Sequence, residues 1–243
     1  MKMLLSLAAL IVLIAGCAAA APITVYISGP HNNLASAEAA RAAWLGPANW
    51  SIFEDFEGFT AAFPAGYTSL GTGIGTFYAD PAGQGSGPRN AGTGANEFVI
   101  INSALTPFGG RFNSTPGGAN WLDSNDITNL YLSVGVPTQT LFFFMTDAED
   151  VGAASLLRIT ARDTQNNATS ATVSAIMLGN GAIHFVGVQA EGLIEEIRWL
   201  NGQRNDGYGV DQFGAVVIPE PASFVLFGSA LLAAGLYRRR RKA

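Results

Sequence analysis

The chain has 243 residues and a formal charge of −5, with 29 glycines, one cysteine and only 13 lysines and arginines. Between Pro22 and Ile218 the balance sharpens to 17 acidic residues against 7 arginines and no lysine, a charge of −10. That balance excludes a nucleic-acid binder, which needs a basic footprint, and the length suffices to bury a core without disulfides.

The first residues read "MKMLLSLAALIVLIAGCAAAAP": Lys2, an apolar stretch from Leu4 to Ile14, then small residues. This is a secretory signal peptide spanning 1–21 and containing an N-terminal signal helix, addressed to the secretion machinery and signal peptidase. Two cleavage modes fit. Ala18-Ala19-Ala20 satisfies the small-x-small rule, and "IAGC" (14–17) resembles the bacterial lipobox, which makes Cys17 a candidate lipidation site. Cys17 is the single cysteine, so no intramolecular disulfide forms.

From 22 to 218 the chain reads as a single all-β domain. Short apolar runs at 23–27, 51–56, 76–79, 97–101, 127–134, 140–146, 156–162, 171–178, 182–188, 193–200 and 209–218 are separated by Gly, Asn, Asp and Ser. In "LRITARD", Leu157, Ile159 and Ala161 share one face, and Arg158, Thr160 and Arg162 the other. "LFFFM" (141–145) is apolar on both faces and suits a central strand. In "IEEIRWL" (194–200) the alternation is broken at the paired glutamates. "TQNNATS" (164–170), "GNGA" and "NGQRNDGYG" mark turns. One helix is predicted over 33–46, with Asn33 or Ser36 as cap and Gly46 as stop. Residues 71–96 are too rich in glycine for regular structure throughout and predict a long loop around a short strand. Strand recurrence every 8–12 residues predicts a single jelly-roll-like antiparallel β-sandwich.

The residues offer little for catalysis. His31 and His184 are the only histidines, no thiol survives signal cleavage, and HExxH, G-x-S-x-G and P-loop motifs are missing. "GTGIG" (71–75) lacks the third glycine spacing and the helix of a dinucleotide loop. Carboxylates cluster instead: Glu54, Asp55 and Glu57; Asp123, Asn125 and Asp126; Asp147, Glu149 and Asp150; Asn205, Asp206 and Asp211. If the first and last strands are neighbours, Glu54, Glu57, Asp206 and Asp211 gather as hard oxygen ligands for calcium. A carboxylate pair across a cleft would instead hydrolyse glycosides. Trp50, Tyr67, Trp121 and Tyr208 lie near irregular segments and are candidates for stacking on sugars, with core packing as the competing role.

The chain ends "IPEPASFVLFGSALLAAGLYRRRRKA". Pro219, Glu220 and Pro221 precede an apolar stretch from Ala222 to Tyr237, followed by Arg238, Arg239, Arg240, Arg241 and Lys242. The order resembles a PEP-CTERM sorting signal (219–243). That resemblance implies export from a Gram-negative cell, processing by the membrane enzyme exosortase near the tripeptide, and a place in exopolysaccharide or biofilm matrix. As a transmembrane helix the apolar stretch (222–237) is about 24 Å long against a hydrocarbon core of roughly 30 Å. This short span fits transient anchoring in the inner membrane, with the basic tail held in the cytoplasm. "FEDFEGF", "GRFNSTPGGANWLDSNDI", "FFFMTDAEDVGA" and "DGYGVDQF" also resemble uncharacterised domains that carry such signals. In those domains a "DGFGIDD"-like stretch forms the last strand; here Gln212 replaces the second acid.

These readings predict a non-enzymatic, exported protein of the cell surface or extracellular matrix that binds carbohydrate or matrix. An extracellular glycan hydrolase and a surface lipoprotein adhesin held at Cys17 are the alternatives.

Overall fold

The computed structural model describes residues 23–63, 65–79, 97–106, 109–125, 127–148, 157–173, 181–201 and 207–217. Thirteen strands and one helix occur among them. The first strand, β1 (Thr24–Ile27), leads into helix α1 (Leu34–Leu45). The strands β2 (Ser51–Glu54), β3 (Ser69–Gly71), β4 (Gly75–Ala79), β5 (Val99–Asn102), β6 (Asn120–Asp123) and β7 (Asn129–Val134) follow. Then come β8 (Thr138–Thr146), β9 (Arg158–Asp163), β10 (Ala168–Thr172), β11 (Ile183–Gln189), β12 (Ile194–Leu200) and β13 (Gly209–Val217).

Every pairing is antiparallel, in two sheets. The first runs β1-β11-β8-β13-β6-β5, with β2 also paired to β13; the second runs β10-β9-β12-β7-β4-β3. Their inner faces meet in one aromatic core. Phe213 lies 4.9 Å from Phe143 and 5.2 Å from Phe77, and Phe143 meets Trp199 at 5.2 Å, ring centre to ring centre. Rings of this size bury the most apolar surface per residue and so dominate the sandwich's stability. The expected all-β sandwich is therefore seen. The signal helix, Cys17, the apolar C-terminal helix and the basic tail lie outside the described residues. Among the described residues no helix is long and apolar enough to cross a membrane.

The two-sided apolar run of β8 has a physical reason. Leu141, Phe143 and Met145 face the core, while Phe142 and Phe144 face out and are covered by α1. Asn33 caps α1 by accepting the Ser36 N–H at 2.9 Å, and Gly46 ends it at φ 56°. Trp44 of α1 packs over β11 at Gly187, where a Cβ would lie 2.6 Å from the indole. Farther along the same sheet, Val99, Ile101 and Trp121 form a separate buried cluster with Phe63.

Several boundaries differ from the sequence reading. β10 begins at Ala168, inside the stretch read as a turn, and the turn proper is fastened by Asp163, which accepts from the Gln165 and Asn167 N–H groups at 2.9 Å each. β6 was hidden because its residues also form an acid-bearing motif. "GTGIG" closes the β3–β4 hairpin through reciprocal hydrogen bonds between Thr72 and Gly75. The broken alternation of β12 is a β-bulge between Ile194 and Glu196, which brings both glutamates to the outer side.

Candidate functional site

The acidic motifs turn inward, onto the protein's own loops. The first strand, β1, pairs with β11, but β2, which carries Glu54, does lie beside β13. Their carboxylates, however, are already engaged. Glu54 accepts from the Phe56 N–H at 2.7 Å and the Gly73 N–H at 2.9 Å. Glu57 accepts from Asn113 Nδ2 and from the Ala119 and Asn120 N–H groups, at 2.9, 2.7 and 2.8 Å. Asp211, buried on β13, accepts from both the N–H and hydroxyl of Ser114, at 2.7 and 2.9 Å, and from the Thr115 N–H at 3.1 Å. Glu57 and Asp211 thus grip the 113–120 segment from its two ends. Burial pushes the Asp211 carboxyl up to about 7, against the pull of those donors. Asp206 lies outside the described residues. Among the described residues no group of three or more His, Cys, Asp or Glu side chains is arranged to hold a metal ion.

A second cluster joins the other motifs. The register places Thr146 of β8, Gly209 of β13 and Asp123 of β6 in one row. Arg111 enters beside it and donates from Nη1 to Asp123 Oδ1 at 3.0 Å, while its Nε lies 3.4 Å from Asp147 Oδ2. All three side chains are buried. Gly207 makes the room: a Cβ there would lie 3.0 Å from the Arg111 guanidinium. Burial raises the Asp123 carboxyl, with Arg111 opposing. The guanidinium stands between the two carboxylates where a cation would, and makes this a structural keystone.

The same stretch explains Gln212. Its Oε1 accepts from Arg41 Nη1 at 2.7 Å, and its Nε2 donates to the Ser114 carbonyl. An acid at this position would accept from Arg41 but leave that carbonyl without its donor. The histidines are structural in the same sense. His184 is buried on β11 with Nδ1 3.0 Å from the Ser28 carbonyl, and His31 pairs with the Ser28 hydroxyl.

The sugar-stacking candidates fare unevenly. Trp121 is 1 % exposed and Tyr208 0 %, so both are core aromatics and neither can meet a sugar. Burial, then the Asp123 carboxylate, holds the Tyr208 hydroxyl well above the usual phenol range. Tyr67 packs against Phe98 at 6.0 Å. Trp50 is 36 % exposed, but Arg41 sits 4.8 Å over its ring and Phe142 meets it edge-on at 5.3 Å.

What remains is the outer face of the second sheet. Among the described residues nothing packs over it. Alternation sends Arg158, Thr160 and Arg162 of β9 outward, with Ala168 and Ser170 of β10 and Glu196, Arg198 and Leu200 of β12. Small side chains floor the middle and long ones wall it, leaving an open groove of about 480 Å³. One row continues across the sheet from Ser170 through Thr160 and Arg198 to Tyr131 and Tyr78. Arg198 lies 5.4 Å over Tyr131, which stacks on Tyr78 at 5.2 Å. The sequence did carry a signal for this face, the alternation of "RITAR", but an exposed arginine on a strand usually means only solvation.

Comparison with known proteins adds an address. Residues 217–242 match the PEP-CTERM protein-sorting motif. The chain carries a PEP-CTERM signal. A PEP-CTERM signal marks an exported protein whose processing partner is exosortase and whose passage runs through the membrane by its C-terminal tail. No match to a curated protein was found. Among solved structures, the K2 cleaved adhesin domain of Lys-gingipain is similar at 14 % identity and a TM-score of 0.39, over 69 % of this chain and 99 % of that one. The enzymatically active domain of bacteriophage CBA120 tailspike protein 4 is similar at 14 % identity and a TM-score of 0.25, over 72 % of this chain and 20 % of that one. Neither resemblance is close enough to transfer a fold or an activity.

Proposed function

We propose that this PEP-CTERM protein is a non-enzymatic component of the cell surface or extracellular matrix, a jelly-roll-like sandwich that binds polysaccharide through the outer face of its second sheet. The uncovered groove carries the reading. Three of the four sheet faces bury aromatic or aliphatic side chains, whereas this one presents arginines, hydroxyls, two carboxylates and two tyrosines. Planar donors and hydroxyls beside aromatic rings suit a ligand that is polar at its rim and apolar on its ring faces. The groove's volume falls in the range of small-ligand sites, and its openness allows a chain to enter and leave. The sorting signal supports the reading by delivering the domain outside the cell.

The hydrolase alternative needs two acids facing one cleft. Among the described residues Glu196 lines the groove and Glu195 stands at its edge on Arg162, both tied up by arginines, and Asp123 and Asp147 are buried about Arg111. The test is a glycan array with the purified protein, with and without calcium, repeated with Ser170→Trp, which fills the groove floor from an exposed strand. Binding that Ser170→Trp abolishes is expected, with no release of reducing ends. An empty array, or binding indifferent to Ser170→Trp, would refute the proposal. A requirement for calcium would return a role to Glu54, Glu57, Asp206 and Asp211.

A further inference from the structure

The groove concentrates positive charge in a protein that is otherwise acidic. Three of the seven arginines between Pro22 and Ile218 line it. The other two described arginines are held inside the fold, Arg111 by its buried acids and Arg41 against Trp50 and Phe144. Glu195 and Glu196 engage two of the groove arginines. Arg162 Nη1 lies 3.1 Å from Glu195 Oε2 and its Nη2 3.4 Å from Glu196 Oε2; Arg198 Nε lies 2.6 Å from Glu196 Oε1. Among the described residues, two carboxylates against three guanidiniums leave one positive charge over. That charge belongs to Arg158, which is exposed and whose side chain has no ion pair or hydrogen bond among the described residues. Its position is set by β9, across from Thr172 on one side and Leu200 on the other, some 13 Å along the strand from Arg162, with Thr160 between them.

We propose that the groove recognises an acidic glycan, a chain of uronic acid residues, with one sugar carboxylate seated on Arg158. This rests on the glycan-binding reading above and adds the charge of the ligand. A guanidinium presents a planar pair of donors that matches a carboxylate in two parallel hydrogen bonds. A single surplus cation suits one carboxylate per bound sugar. The hydroxyls of Thr160 and Ser170 on the floor, and the lone pair that Arg198 leaves on Glu196 Oε1, take the ring hydroxyls. Elsewhere the domain's charge of −10 repels such a chain, so the groove also fixes where it lands.

The experiment compares polygalacturonate with its carboxyl-reduced, neutral counterpart in affinity electrophoresis or calorimetry, on the native protein and on Arg158→Gln and Arg158→Lys. The Arg158 side chain has no ion pair or hydrogen bond to lose among the described residues, so both variants should melt as the native protein does. Polygalacturonate is expected to bind at least about tenfold more tightly than the reduced polymer, a preference that weakens with added salt. Arg158→Gln should remove the preference, and Arg158→Lys should restore only part of it, since the charge returns without the paired donors. Equal binding of the two polymers, or a silent Arg158→Gln, overturns this inference and leaves the glycan reading standing. Dextran sulfate binding as tightly as polygalacturonate overturns the carboxylate assignment. If neither polymer binds while a neutral glycan on the array does, the inference alone fails; if nothing on the array binds, both fail.

Discussion

Replacing Arg111 with methionine keeps most of the side chain's volume but removes the only cation between Asp123 and Asp147 among the described residues. The side chains are 5 %, 0 % and 3 % exposed, so water does not take over the screening. At an effective dielectric constant near 20, each close pair is worth about 4 kcal/mol before desolvation. Removing one partner of a buried pair costs about 3–5 kcal/mol, because a charge is left buried without compensation. For a domain of this size that corresponds to a fall in melting temperature of roughly 6–20 °C. The loss carries a pH signature. Asp123 is raised in the fold by burial, with Arg111 opposing, so without Arg111 it rises further. A group whose folded pKa is raised contributes stability that is present below the unfolded value and is lost as pH rises through the folded one. Arg111→Met should therefore be most costly at pH 8 and least at pH 5 in urea denaturation, and Asp123→Asn in the same chain should recover part of the loss. An equal loss at both pH values with no recovery in the double variant, or a total loss under 1 kcal/mol, would refute the keystone reading.

Three further outcomes are expected. Asp211, raised to about 7 by burial, holds a proton in the folded state that the unfolded chain releases. Stability should fall by about 4 kcal/mol as pH rises from the carboxylate range through 7, and Asp211→Asn should flatten that slope in pH-dependent denaturation; an unchanged slope would disprove the assignment. Trp121→Ala should cost about 3–5 kcal/mol of stability by opening a buried cavity, whereas Tyr131→Ala should leave the melting temperature nearly unchanged and weaken glycan binding; reversed effects would return Trp121 to the ligand surface. Substituting Pro219, Glu220 and Pro221 together with alanine should leave the protein unprocessed in the membrane, visible as a heavier band on a denaturing gel, and normal processing would show that the tripeptide is not read.

The architecture was legible because burial has a period. β1, β4, β8, β9, β11, β12 and β13 were found within a few residues by their apolar runs, and Asn33 and Gly46 bounded α1 by capping chemistry. β10 was placed late, over 171–178, because "ATSAT" is an exposed edge strand without an apolar face. β3 is three residues long and leaves almost no pattern. The site was less legible for a different reason. A carboxylate that accepts from loop N–H groups and one that binds a ligand look the same in a sequence. Glu57 and Asp211 hold the 113–120 segment through donors some 60 and 100 residues distant, and no local pattern reports such partners. Trp121 and Tyr208 misled in the opposite direction, since glycine-rich surroundings read as loop although both flank the buried row at Asp123 and Gly209.

The distribution of motif and surface follows from what each must do. "DGYGVDQF" is dense because β13 sits between β8, β6 and β2 and has to satisfy several neighbours at once. Gly207 and Gly209 clear space for Arg111 and Thr146, Asp211 fastens one loop, and Gln212 joins that loop to α1. Each position has several contacts, so few residue types fit. The outer face of β9, β10 and β12 has no such constraint. Arg162 and Arg198 there meet Glu195, Glu196 and Tyr131 at the surface, and interior packing selects none of the three arginines. In this fold the distinctive stretches therefore describe how the sandwich is held closed, and the plain alternating stretch "RITAR" bears the surface that meets the outside. A chain exported under its C-terminal signal has, in its described residues, both a framework that holds without disulfides and one sheet face that none of them covers.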